Sequence, residues 1–444
     1  MRSRSISPLL ILSLTLAAIA CRAAAIQPAS PSPSLEPSPS ATGPSPSGNL
    51  NIAVLDSTGN VLLTNRDNTR RAVTTDASDT NRYQHLTWSP DGSHLAFVQT
   101  YLFGDAIHIY DLAAGDSKTV FSSEEEFVIY LYWAPDSRHL SFLTGGGLPA
   151  DLELNWVNVE TGSPTTIAQA QPLYWAFAPD SDQVALHLNG GTQESSINLL
   201  DPSAVNSESQ SLGLGPGFFQ APSWHPDGLS LFAATSDSFG HSQILRTVPN
   251  QEPQIVYSGY GRIAFTPSPD GQFLAIIENL DPFRSIFAGP LTVIDLESGA
   301  SVFTAPAADN FAFFWSPDAS HLLYFSFDSQ PAEEQQGNFN SSRLARPRPQ
   351  SVSISVHVAS FPANASNILA ADFQPTDEFG QMLLFFDQYA HSHSLWSSDS
   401  STVLLAGSNS SGQSGIWLYA VEAATIPQQL VDGLFAVFSP VPFP

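Results

Sequence analysis

From residue 50 onward, apolar and polar side chains alternate in short runs broken by tight turns. Leu95 and Phe97, Leu140 and Phe142, Val184 and Leu186, and Leu322 and Tyr324 each sit two positions apart. Period two sends successive side chains to opposite faces, so these runs predict β-strands with one buried face. A further strand is expected in "IHIYDLAAG" (107–115), "NWVNVETG" (155–162), "SINLLD" (196–201), "LTVIDLESG" (291–299) and "GIWLYAV" (415–421). A shorter strand closes the unit, as in "TVFSS" (119–123).

Ahead of the first strand pair stands a phrase that recurs, "TWSPDGSHLAFV" (87–98). Pro90 presets φ for a tight turn, Asp91 can accept from nearby backbone amides, and Gly92 tolerates positive φ. Matching aspartates are Asp91, Asp136, Asp180, Asp227, Asp270, Asp318 and Asp399, spaced 45, 44, 47, 43, 48 and 81 residues apart. Three positions before each stand Trp88, Trp133, Phe177, Trp224, Pro267, Trp315 and Trp396, so five of the eight tryptophans share one register. A repeat in the mid-forties is the length of a four-stranded propeller blade.

This phrase at this spacing resembles the WD40-like PD40 repeat of TolB-type β-propellers, over most of residues 50–440. The resemblance implies an all-β propeller of four-stranded antiparallel blades. It implies little about function, because propellers host many unrelated jobs. The chain also departs from TolB: no α/β domain is expected before the propeller, and it has more than TolB's six repeats. TolB's partners are therefore not carried over.

The two ends of the repeat region complement each other. "GLFAVFSPVPFP" (433–444) reads as one more innermost strand that stops where the aspartate is due. "NIAVLDSTGNVLLTNRDNTRRAVTT" (51–75) reads as three strands with no such phrase before them. Together they make one composite blade, which leaves no open sheet edge at the seam. Seven copies plus this blade predict an eight-bladed propeller with N-/C-terminal closure; the alternative is seven blades. The long interval holds two insertions. Residues 328–350 are polar and aperiodic, an exposed loop. In 375–393, Phe379, Met382, Leu383, Phe386 and Tyr389 recur at helical spacing behind Thr376, which predicts a capped helix packed on one propeller face.

The first 49 residues have a different composition. Residues 1–20 hold Arg2 and Arg4 and then an apolar stretch, the pattern of a secretory signal. "LAAIAC" (16–21) resembles a bacterial lipobox, and Cys21 is the only cysteine. Lipidation at Cys21 would anchor the chain to a membrane through several acyl chains. Residues 21–49 are rich in proline and serine, a tether that builds no core. The propeller is then residues 50–444, held outside the cytoplasm at the cell surface or in the periplasm.

Charge and chemistry narrow the rest. The net charge of −26 argues against nucleic acid, which wants basic patches. His94, His139 and His321 recur at one blade position, which marks them as structural. His391 and His393 are a weak metal candidate: on a strand, an H-x-H pair puts both rings on one face, whereas the alternative is two polar residues at a helix-to-strand junction. "SGQSGIW" (411–417) has a misplaced second glycine for a nucleophile elbow, and "EEE" (124–126) reads as a solvated loop. Arg343, Arg346 and Arg348 form a basic cluster that could dock an acidic partner. The expectation is a monomeric, non-catalytic platform for a protein or glycan, with no catalytic residue and no cofactor. The alternatives are a polymer-acting lyase or hydrolase with its site at the channel mouth, and a sensor or accessory component of a membrane complex.

Overall fold

The Trp-x-Pro-Asp phrase is where one strand ends and its neighbour begins. Strand Asn81–Trp88 turns through residues 89–92 and returns as His94–Tyr101, with Trp88 opposite Leu95. Gly104–Asp111 and Asp116–Ser123 complete that sheet. The plan repeats in the sheets that begin with strands Phe127–Trp133, Leu173–Phe177, Ser223–Trp224 and Arg262–Pro267. The computed structural model describes residues 50–441 except 147–151, 181–182, 191, 193, 204–208, 216–219, 238, 250, 282–286, 329–352, 364 and 423–425.

The turn residues act as their chemistry requires. Asp91 Oδ1 accepts from Ser93 N (3.0 Å) and Ser89 Oγ (2.6 Å), and Asp318 and Asp399 repeat this pattern. Gly92 takes φ +69°, the left-handed region that costs glycine nothing. Ser137, Ala319 and Ser400 hold the same position at φ near +60° and bear that strain. Ser137 Oγ accepts from Asp91 N (3.0 Å), so this strained serine also ties one turn to the next.

The chain ends meet as their patterns predict. Strand Gly433–Phe438 pairs antiparallel with Ile52–Asp56, Phe438 opposite Ile52 and Phe435 opposite Leu55. Val61–Thr64 and Arg70–Ala72 finish this composite sheet. Val441 stands where the other turns have aspartate. The fold is an all-β propeller of antiparallel sheets, six of them four-stranded. The seventh has seven strands, because Ala365–Pro375 pairs with Ile354–Ser360 and then, at Gln374 and Pro375, with Ser408 and Gly407 of Thr402–Ser408. It contains two copies of the turn, at Asp318 and Asp399. Among the described residues, counted by hydrogen-bonded sheets there are seven units; counted by turns plus the composite sheet there are eight.

The conserved register of tryptophans within the chain is a chain of latches. Trp133 Nε1 donates to Thr87 O (3.2 Å), Trp224 to Ala176 O (3.1 Å), Trp315 to Thr266 O (3.2 Å) and Trp396 to Phe314 O (3.1 Å). Trp88 closes the series on Val437 O of the composite sheet (3.3 Å). Each acceptor directly precedes the register position of the preceding repeat. A buried indole N–H needs such a partner, and each latch stitches one innermost strand to the next. Phe177 has no N–H to offer. There Ser141 Oγ donates to Tyr132 O (2.7 Å), and Trp175 Nε1 donates to Ser141 Oγ (2.9 Å).

Candidate functional site: a sealed channel and an axial well

Residues 376–396 occupy the middle of the propeller. Thr376 caps helix Asp377–Leu384 by accepting from Phe379 N (3.2 Å), and Phe379, Met382 and Leu383 are buried. A second turn, Phe386–Tyr389, has every side chain buried. The helix therefore does more than pack on one face: it covers one end of the channel and then descends into it. Phe386 meets Phe313 at 4.8 Å and Phe379 meets Phe325 at 6.0 Å between ring centres.

Polar side chains of this plug reach the innermost strands, whose inner edges have no neighbouring strand. Gln388 accepts from Trp175 N (3.1 Å) and donates to Trp175 O (2.9 Å), mimicking a strand. Asp387 Oδ2 accepts from Ala221 N (2.9 Å). Tyr130 OH donates to Gln388 O (3.0 Å) and contacts Ser392 Oγ, and Thr87 Oγ1 donates to Ser392 O (3.1 Å). Burial pushes the Asp387 carboxyl up to about 6 despite backbone donors, so this plug carries a carboxylate poorly solvated at neutral pH.

Beyond the plug, on the face carrying the turns, lies a cavity of about 470 Å³. Residues 390–396 form its floor, and the register positions Trp88, Trp133, Phe177, Trp224, Trp315, Trp396 and Phe438 line its wall. Pro90, Pro179, Pro226 and Pro269, each directly before a turn aspartate, form the rim with Pro440. The size falls within the range of small-ligand sites. The indole N–H groups are spent on the latches, so the wall offers ring edges and proline faces. No Asp, Glu, Lys or Arg is among the lining residues.

His391 and His393 are the only titratable lining groups besides Tyr132. They lie at a helix-to-strand junction and not on a strand, so the geometry expected for an H-x-H pair is absent. His391 Nε2 contacts Ser223 Oγ (3.2 Å) with its ring beside Tyr132; His393 Nδ1 contacts Ser392 Oγ (2.6 Å) with its ring beside Tyr389 and Tyr130. Burial pulls His391 down to about 4. Burial, with His85 nearby, pulls His393 down to about 3. Both rings are neutral at physiological pH. Among the described residues no cluster of three His, Cys, Asp or Glu is arranged for a metal.

The other candidates fall elsewhere. Cys21, Arg343, Arg346 and Arg348 lie outside the described residues. His94 packs against Trp133 of the next sheet (6.1 Å) and His321 against Trp396 (6.0 Å), while His139 stacks on Trp156 of its own sheet (4.7 Å). Residues 409–413 form a hairpin turn closed by Asn409, leading into Ser414–Ala420. Glu125 and Glu126 donate their amides to Ser123 Oγ in a turn between strands. What sequence reasoning missed were Gln388, Asp387 and Ser392. The one available signal was polar Asp-Gln inside the otherwise apolar "FFDQY" (385–389).

No protein-family model and no curated protein matches the chain. Solved structures do. A eukaryotic initiation factor structure covers 88% of this chain and 99% of its own, at 12% identity and a TM-score of 0.51. A structure from an analysis of two prolyl endopeptidases covers 81% and 50%, at 9% identity and 0.51. TolB from Acinetobacter baumannii covers 70% and 75%, at 14% identity and 0.38. At such identities the first two likenesses show a shared fold and nothing about activity. Among the described residues no helix is long and apolar enough to cross a membrane.

Proposed function

We propose that this chain is a non-catalytic binding platform, held outside the cytoplasmic membrane by lipid at Cys21, whose ligand seats in the axial well. One observation carries the reading: a rigid, uncharged, aromatic- and proline-lined cavity stands over a channel filled by the chain's own plug. General acid–base chemistry needs a titratable group poised near working pH within reach of substrate. The two histidines at the well are held neutral and engaged with serines. A rigid ring that presents preformed ring edges suits recognition, because little ordering is needed on binding.

The test has three arms. Cys21→Ser is expected to move the protein from the membrane fraction to the soluble one; unchanged fractionation removes the anchor from this reading. Array screening against glycans and proteins is expected to find a ligand whose binding is lost in Ala390→Trp, which fills the well floor while the melting temperature is kept. Ligand binding unaffected by Ala390→Trp refutes the well as the site. Elemental analysis of protein purified without chelator, alongside His391→Ala/His393→Ala, is the third. One transition metal per chain, lost in the double variant, turns the reading toward an enzyme.

A further inference from the structure

The well is uncharged, but its rim is not. Pro90, Pro179, Pro226 and Pro269 line the well, and the next residue in each case is a turn aspartate. By blade register Asp136, Asp318 and Asp399 occupy the same place, and all seven aspartates are exposed. The turns of five of them, Asp91, Asp136, Asp227, Asp318 and Asp399, favour the charged form. Partial burial works against the charge on Asp318, but donors from Ser316, Ser320 and Ser400 outweigh it and bring the carboxyl down to about 2. Asp399 reaches about 2 in the same way, with Arg66 assisting. Asp91, Asp136 and Asp227 are also lowered: the donors of their turns outweigh partial burial.

Asp227 pairs with Arg246 (3.0 Å), Asp399 with Arg66 (3.3 Å), and Asp136 contacts His139 (2.6 Å). A ring of one sign around an apolar depression focuses its field along the axis and attracts the opposite charge. The geometry points to a partner with two chemical parts, and we propose that the well docks a cationic protein segment: an aromatic or proline side chain seats in the well, and flanking Lys or Arg side chains reach the aspartate rim. This rests on the reading of the well as a binding site. An uncharged glycan could use the wall alone, yet it would leave the seven-carboxylate rim without a role in recognition.

The experiment uses the purified full chain and three synthetic probes: a lysine- and proline-rich peptide with one central tryptophan, the same peptide with glutamate for lysine, and a neutral oligosaccharide. The lysine peptide is expected to bind at least tenfold more tightly than its glutamate counterpart, and to weaken as salt screens the rim. Asp91→Asn, Asp270→Asn and Asp318→Asn keep a turn-capping side-chain carbonyl while removing the charge. Each is expected to weaken the lysine peptide by about two- to fivefold, the usual size for a rim charge. Ala390→Trp is expected to abolish binding. Equal affinity for the two peptides, no binding of the lysine peptide, or indifference to the triple Asp→Asn variant each overturns the inference. Oligosaccharide binding that Ala390→Trp abolishes, with no lysine-peptide binding, overturns this inference while leaving the well as the functional site.

Discussion

The wall of the propeller and the plug inside it are stabilised by opposite strategies. The wall repeats one local rule: a strand, a capped turn, a returning strand and an indole latched to the previous sheet. The plug is made once. It holds its place through contacts that do not recur from blade to blade among the described residues, such as Gln388 acting as a strand against Trp175 and Asp387 receiving Ala221 N. A repeated contact is backed by similar ones on either side. A unique contact has no such support, so the plug concentrates risk in few residues, among them a buried carboxyl.

Breaking the wall at its seam is the largest expected effect. Removing residues 433–444 strips the innermost strand from the composite sheet and takes away the buried side chains of Phe435, Ala436, Val437 and Phe438. The loss is on the order of 5 kcal/mol or more, at roughly 1.5–3 kcal/mol per large buried side chain. Thermal unfolding is expected to move far down or lose cooperativity; an unchanged melting curve would mean the seam does not hold the ring. Next comes the plug. Phe379 is fully buried, and Phe379→Ala is expected to cost about 3–5 kcal/mol. Hydrogen exchange sharpens the contrast: amides of residues 377–396 should lose protection before those of the strands on the far sides of the blades.

The plug's carboxyl gives a prediction of opposite sign. The Asp387 pKa is raised to about 6 from 3.8, so the folded state favours its protonated form. The stability tied to that proton is fully present below the unfolded value and is lost as pH rises through about 6. Asp387→Asn can still accept from Ala221 N without the charge. It is expected to stabilise the protein at pH 7 by about 2–3 kcal/mol, at 1.36 kcal/mol per pKa unit, with the gain shrinking toward zero below pH ~4. Melting temperatures of the pair across that range check this; a destabilised Asn variant at pH 7 would show that the charge is solvated. The smallest effect belongs to a single latch. Trp396→Phe keeps most of the ring but leaves Phe314 O without its donor, a loss of about 1–2 kcal/mol by equilibrium unfolding.

How far the sequence was legible follows the same division. Period-two runs such as Leu95 and Phe97 specify strands because a strand's faces alternate whatever surrounds it. Asp91 reads as a turn cap because its acceptors and donors lie within two residues, as the bonds to Ser93 and Ser89 show. The helix behind Thr376 and the pairing of 433–438 with 52–56 were also legible, the first from local spacing, the second from a strand missing at one end and spare at the other. The number of hydrogen-bonded sheets was not, since it turns on Gln374 and Pro375 reaching Ser408 and Gly407 across two blades. The helix-to-strand junction that carries His391 and His393 was legible from the helical spacing before it, whereas their burial beside Tyr132, Tyr130 and Tyr389 was not.

The amino-acid sequence by itself determined the strands, the capped turns, the repeat and the complementary ends, because each depends on forces acting over a few residues or on a repeat that can be counted. Only the tertiary structure decided that the tryptophans latch sheet to sheet, that the helix descends into the channel, and that the remaining space is an uncharged well inside a ring of carboxylates. Those features join residues tens to hundreds of positions apart, as Trp88 joins Val437. Their energies come from desolvation and hydrogen-bond partners that exist only once the ring has closed.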